Sequence, residues 1–237
     1  MSPRLQATPI EVAGERGFAY EELDAETREQ LEVWVKTGDV PGGEVIKPGA
    51  VFRWRDLLVK FTPPKASLRD RFRPNAAIRS VRAYERIAPI RSPRPVLAMA
   101  GTSGLLVTEF IEGDFVERIW ESEPHSMDQL VEFLAEMHER RVFHGDFHAH
   151  NMIWDGEAWY LIDLESLRHP LRTLVRRSMI EDHWARLHFC LALSPKLEAY
   201  FGRYLEISGL GWDPASAWKR VTRRSQAMSE AWPLVEM

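Results

Sequence analysis

The sequence predicts an α+β protein in two lobes, with an N-terminal antiparallel sheet plus a helix followed by a mainly helical half. Three observations predict it. Short β-branched and aromatic runs separated by turn residues fill the stretch from 44 to 111, and helical periodicity dominates after 113. With 237 residues and 45% hydrophobic content, the chain can bury the core of one compact enzyme domain. The expected division is 1–40 as an N-terminal extension with one helix, 41–112 as the first lobe and 113–237 as the second.

In chain order, Asp24 can cap a helix that carries Leu31, Val33, Trp34 and Val35 and ends at Gly38. Glu44-Val45-Ile46, Val51-Phe52-Arg53-Trp54 and Leu57-Leu58-Val59-Lys60-Phe61 read as three strands. They are joined by Lys47-Pro48-Gly49 and Arg55-Asp56. A basic segment from Lys65 to Arg73 leads to Pro74-Asn75, which starts a helix to about Ile87. The prolines at 89, 93 and 95 end it. Val96 to Ala100 and Leu105 to Ile111 form a further strand pair, closed by Gly113-Asp114. Ser126 and Gln129 suggest a capping box for a helix with Leu130, Phe133, Leu134 and Met137 inward. Met152-Ile153-Trp154 and Trp159-Tyr160-Leu161-Ile162 flank Asp155-Gly156, a hairpin signal. Beyond Leu174 the pattern is helical, with breaks near Ser194-Pro195 and from Gly209 to Asp213.

A formal net charge of −4 gives no global attraction to nucleic acid or an anionic membrane, so anion binding must be local. A single cysteine, Cys190, excludes an internal disulfide framework and suits a reducing compartment as a buried small hydrophobe. The first twenty residues lack the apolar core of a signal peptide. No stretch reaches the roughly 18 apolar residues of a membrane span. A soluble cytoplasmic protein is expected.

The chemistry concentrates in His144-Gly145-Asp146-Phe147-His148-Ala149-His150-Asn151 and, past the hairpin, Asp163-Leu164-Glu165. Phosphoryl transfer needs a carboxylate beside the attacking hydroxyl and oxygen ligands that hold Mg²⁺ against the phosphates of ATP. The pattern H-x-D, four residues, N, then D supplies them in order. It also demands a lysine on the third strand, met by Lys60, and a helix carboxylate to pair with it. Between Lys60 and Glu109 the carboxylates are Asp70 and Glu85, and Glu85 sits well inside the predicted helix. The stretch from Leu105 to Gly113 fits a hinge where Glu109 and Ile111 could meet adenine through the backbone.

These motifs, over roughly residues 44 to 193, resemble the lipopolysaccharide core kinases, the Kdo and core heptose kinases of the protein-kinase-like superfamily. The resemblance implies Asp146 as catalytic base, Asn151 and Asp163 as Mg²⁺ ligands, and Lys60 with Glu85 orienting the phosphates of ATP. Glu165 would be an auxiliary ligand. Substrate contacts would come from His148, His150, Arg168 and Arg172, with a sugar or glycolipid as acceptor and peripheral contact at the inner face of the bacterial inner membrane. No G-x-G-x-x-G covers the phosphates here; Gly42-Gly43 and Lys47-Pro48-Gly49 are the candidates, since backbone amides can do that work.

Other readings remain open. Alternating His144, Asp146, His148 and His150 could hold a transition metal in a hydrolase, but that leaves Asn151, Asp163, Lys60 and Glu85 without roles. The basic residues Lys65, Arg69, Arg71, Arg73, Arg79 and Arg82, and Arg168, His169, Arg172, Arg176 and Arg177, read either as solvated faces or as anion-recognising groups. A kinase-like scaffold without turnover, or a kinase acting on another small molecule or on a protein, shares the same motifs.

Overall fold

A computed structural model describes residues 5–62, 74–101, 104–168 and 173–231. These fall into two compact units, one holding the chain up to Ile111 together with Asp163–Glu165, the other Glu112–Ile162 and the residues from Ser166 on.

The first unit contains β1 (Thr8–Val12), β2 (Glu15–Ala19), α1 (Ala25–Thr37), β3 (Glu44–Lys47), β4 (Val51–Trp54), β5 (Leu57–Thr62), α2 (Ala76–Ile87), β6 (Pro95–Met99) and β7 (Gly104–Glu109). The strands make one antiparallel sheet in the order β1-β2-β6-β7-β5-β4-β3. β5 is therefore interior, flanked by β4 and β7. Both tight turns of the predicted meander form: Arg55 takes the left-handed φ of 58° between β4 and β5, and Gly49 takes 66° between β3 and β4. Gly42-Gly43 precede β3, so of the two candidate glycine sites only Gly49 lies in the strand-to-strand turn.

Alternation along β5 sorts its side chains onto two faces. Val59 and Phe61 join Phe52, Leu105 and Val107 in a core that α1 completes with Leu31 and Trp34. Lys60 lies opposite Leu106, and Leu106 packs with Ala98, Ala77 and Val81, the last two from α2. The sheet thus carries α1 on one face and α2 on the other, and Lys60 points to the α2 face. α1 is bounded as its sequence predicts: Asp24 accepts from the Thr27 amide at 2.6 Å, and Gly38 closes it in the left-handed conformation.

Residues 1–40, expected to hold one helix, also supply the β1–β2 hairpin, which extends the sheet beside β6. Pro9 and Gly17 obscure it in the sequence, because both depress strand propensity. Gly17 has a physical reason to be there: a Cβ at that position would lie 2.7 Å from the Ala98 carbonyl oxygen of the neighbouring strand.

The second unit is mainly helical, with α3 (Val116–Ile119), α4 (Pro124–Glu139), α5 (Thr173–Cys190), α6 (Leu197–Ser208) and α7 (Pro214–Ala231). Its short strands are β8 (Asp114–Phe115), β9 (Phe143–His144), β10 (Met152–Trp154), β11 (Trp159–Leu161) and β12 (Leu167–Arg168), pairing as β8-β10-β11 and β9-β12. Asp155 turns the β10–β11 hairpin by accepting from the amides of Glu157 and Ala158. α4 starts two residues ahead of the predicted capping box. Pro124 occupies its first turn, where the ring presets φ, and the Ser126 hydroxyl donates to the Glu123 carbonyl instead of capping. Among the described residues no helix is long and apolar enough to cross a membrane.

Asn75 ties α2 to the sheet with both ends of its amide. The oxygen caps the helix by accepting from the Ile78 amide at 3.0 Å, and the nitrogen donates to the Met99 carbonyl at 2.9 Å. Asn75→Ala is expected to cost about 1–2 kcal/mol, the loss of a cap and a hydrogen bond together. Asn75→Asp, which keeps the acceptor and loses the donor, should fall between the two in thermal denaturation.

Candidate active site

In the first unit the sheet lysine is held by two acids. Lys60 forms an ion pair and hydrogen bond with Asp163, and its ammonium lies 3.3 Å from both carboxylate oxygens of Glu165. Burial of Lys60 opposes its charge, but the charges of Asp163 and Glu165 and their hydrogen bonds outweigh that, and the amine is held above its ordinary pKa. Asp163 adopts φ +60°, the left-handed region that an aspartate occupies at a cost. Strain of this kind persists where the surrounding structure fixes a side chain in one direction, and here that direction is towards Lys60.

Lys60 does not pair with the expected helix carboxylate. Glu85 is exposed, because α2 buries Ala77, Ser80, Val81 and Ile87, a face that Glu85 lies outside. The inward group on that face is the hydroxyl of Ser80, which donates to Glu165 at 3.4 Å. The acids that meet Lys60 come from more than a hundred positions later in the chain, where no local pattern ties them to it.

The catalytic-loop motif belongs to the second unit. Asn151 is buried, and its amide nitrogen donates to the Asp146 carbonyl at 2.6 Å, which leaves the carboxamide oxygen as that side chain's remaining donor for a cation. The Asp146 carboxylate is mostly exposed, with Arg186 at 3.8 Å. Gly145 donates its amide to the Ser166 carbonyl, and a Cβ there would sit 2.6 Å from that same oxygen. The β9–β12 pairing therefore dictates glycine between His144 and Asp146.

Behind this loop runs a buried relay absent from the sequence reading. The carbonyl of His144 can only accept, so the Nε2 of His183, at 3.0 Å, carries a proton. The neutral ring then accepts at Nδ1 from the Nε2–H of His138 at 2.9 Å, and His138 Nδ1 accepts the Tyr204 hydroxyl at 2.9 Å. Burial pushes His138 down to about 3 and His183 well below its ordinary value. Phe147 of the motif stacks on His183 with ring centres 4.2 Å apart, and Phe143 stacks on His138. No local pattern links residues 138, 183 and 204, which is why the sequence did not reveal them.

The remaining candidates divide. The Glu109 amide donates to the Arg94 carbonyl, its side chain accepts from the Arg94 amide, and Ile111 follows two residues after β7. His150 packs its ring against Phe115 and approaches Glu117 at 3.6 Å, so it braces the start of α3. His148 lies 5.8 Å from it ring to ring, and Arg168 is exposed on β12. Arg172 and His169, with Lys65, Arg69, Arg71 and Arg73, lie outside the described residues. Among the described residues no three His, Cys, Asp or Glu side chains are grouped to hold a metal ion. An open cavity of about 670 Å³ lies between the β1–β2 hairpin and α1, lined by Ile10, Tyr20, Arg28 and Leu31 among others. It contains neither Lys60 nor its acids, so the site is placed by chemistry and not by the size of that cavity.

An antiparallel sheet whose order β3-β4-β5-β7-β6 puts a lysine on the third strand, a helix packed on the lysine's face and a mainly helical second unit define a protein-kinase-like fold. The RIO1 family model, described as the RIO domain, matches residues 62–170. Over that stretch the chain is similar to an atypical protein-kinase-like domain, and the similarity supports a kinase-like ATP-binding phosphotransferase. The match takes in Ser80, Asp146, Asn151, Asp163 and Glu165; Lys60 lies just outside it and is placed by the sheet. No curated protein matches the chain.

The relay makes stability depend on pH with a definite sign. Between about pH 6.5 and 3 the unfolded chain binds protons at positions 138 and 183 that the folded chain refuses, so stability is complete above 6.5 and falls below it. Lowering the pH from 7.5 to 5.0 should remove roughly 2 kcal/mol per buried imidazole. Urea midpoints at the two pH values check this; an unchanged midpoint would mean that water reaches the relay.

Proposed function

We propose that this protein transfers the γ-phosphoryl group of ATP, held with Mg²⁺, to a hydroxyl group. The observation that carries this reading is Lys60, fixed on an interior strand of a kinase-ordered sheet and paired with an aspartate in the left-handed conformation. The donor set suits the cofactors: carboxylate and carboxamide oxygens at Asp163 and Asn151 match a hard cation, and an ammonium at Lys60 matches phosphate oxygens. Magnesium bound to ATP would neutralise charge that develops on the transferred group. Asp146 takes the role of base for the acceptor hydroxyl, and its exposure leaves it accessible to one. Lys60 orients the phosphates, while Glu109 and Ile111 meet adenine through the backbone.

The acceptor we propose is a sugar of the lipopolysaccharide core, Kdo or heptose, on the strength of the motif resemblance, with His148, His150, Arg168 and Arg172 nearest to it. A glycolipid of that kind would bring the enzyme to the inner face of the bacterial inner membrane as a peripheral protein. The similarity to a protein-kinase-like domain favours a protein hydroxyl as the second reading.

Two substitutions and an acceptor panel test the proposal. Asp146→Ala should lower phosphoryl transfer by about 10²–10⁴-fold while sparing ATP binding, the scale of lost general-base catalysis. Asp163→Ala should abolish the magnesium dependence of nucleotide binding measured by calorimetry. ATP consumption is compared with deacylated lipopolysaccharide, simple sugars and a generic protein. Turnover with protein alone replaces the sugar assignment, and no turnover with any of the three leaves a nucleotide-binding scaffold.

A further inference from the structure

We infer that Glu165, braced by Ser80, is the carboxylate that positions Lys60 in this protein, replacing a helix acid; the inference rests on the kinase reading above. The helix that packs on the face of β5 bearing Lys60 turns no acid inward. Its inward position is Ser80, 5% exposed, and a serine side chain is too short and carries no charge with which to hold an ammonium. Its hydroxyl reaches Glu165 Oε2 at 3.4 Å, and Glu165 in turn spans the remaining distance to Lys60, with both oxygens at 3.3 Å. Serine plus glutamate thus occupies the line from helix to lysine that one longer acidic side chain could fill. The hydroxyl donates and the carboxylate accepts, so the negative charge ends up at the lysine side of the chain.

Asp163 also touches Lys60, but the two acids are not equivalent. Under the kinase reading Asp163 serves a cation, and a carboxylate that engages a divalent ion yields most of its attraction for a neighbouring ammonium. Glu165 is the better shielded of the two, with a side chain 25% exposed against 47% for Asp163. It also has a hydrogen-bond donor on a helix to fix its orientation. One turn of loop, Asp163-Leu164-Glu165, therefore supplies both the acid for the cation and the acid for the lysine. Leu164 between them is buried and anchors that turn.

Glu165→Gln and Glu165→Ser should raise the ATP concentration for half-maximal rate and lower kcat, together by about tenfold to hundredfold in kcat/KM, the loss of one truncated charge pair. The magnesium concentration for half-maximal rate should stay put, whereas a cation ligand at this position would raise it. Ser80→Glu combined with Glu165→Ser returns the acid to the helix and should recover much of the loss. Thermal unfolding of Lys60→Met, Glu165→Gln and the double variant supplies a readout that needs no turnover: the two Tm shifts should be clearly non-additive. Additive shifts, or a Glu165→Gln enzyme with unchanged ATP dependence, overturn the inference and leave the kinase reading standing. If the wild-type protein neither binds nor consumes ATP, the kinase reading fails instead, while coupled Tm shifts still establish the Lys60–Glu165 pair.

Discussion

A single ammonium group organises the first unit. Lys60 can occupy an interior strand because alternation separates it from Val59 and Phe61, which fill the core under α1, and turns it to the face under α2. A partly buried cation on such a face costs free energy unless acids meet it. That requirement accounts for why Asp163–Glu165 packs with the first unit although the chain on either side belongs to the second. It also gives the strained backbone of Asp163 a purpose, since the left-handed turn is what aims one acid of the pair while the other is held from α2.

The parts of the fold legible in the sequence were those specified within a few residues. Asp24 and Gly38 bound α1, Asn75 starts α2, and Asp155-Gly156 turns the β10–β11 hairpin, because caps and turns are chemistry between near neighbours. The strand carrying Lys60 was legible from its apolar neighbours. What the sequence hid was set by distant partners. Gly17 weakens β2 as a local signal, yet the close approach of β6 requires it. Ser126 has the spacing of a capping box, but Pro124 starts α4 earlier and the hydroxyl turns to a carbonyl.

The candidate site divides along the same line. The spacing of Asp146, Asn151 and Asp163 is legible as a motif because Asp146 and Asn151 share one short loop, with the Asn151 amide donating to the Asp146 carbonyl, and Asp163 follows the hairpin directly. No local pattern marks the partners of Lys60, because the carboxylates that meet it stand on a loop in another part of the chain. Glu85 lies one helical turn beyond the buried Val81, so spacing alone places it beside the buried stripe, yet it is exposed and the stripe is filled by Ala77, Ser80, Val81, Ala83 and Ile87.

The two units steady their functional groups by opposite physics. Around Lys60 the groups are charged and partly open to water, and the ammonium is satisfied by the two carboxylates of Asp163 and Glu165. The loop bearing Asp146 is instead held from behind by Tyr204, His138 and His183, all neutral, buried and fully committed in one hydrogen-bonding direction. A charged anchor there would carry a desolvation penalty. A neutral relay fixes the backbone of His144 without bringing a charge into the buried interior. The cost is sensitivity to acid: His183 cannot admit a proton at Nδ1 without losing the bond from His138, whereas the raised pKa of Lys60 keeps its ammonium charged as the pH rises.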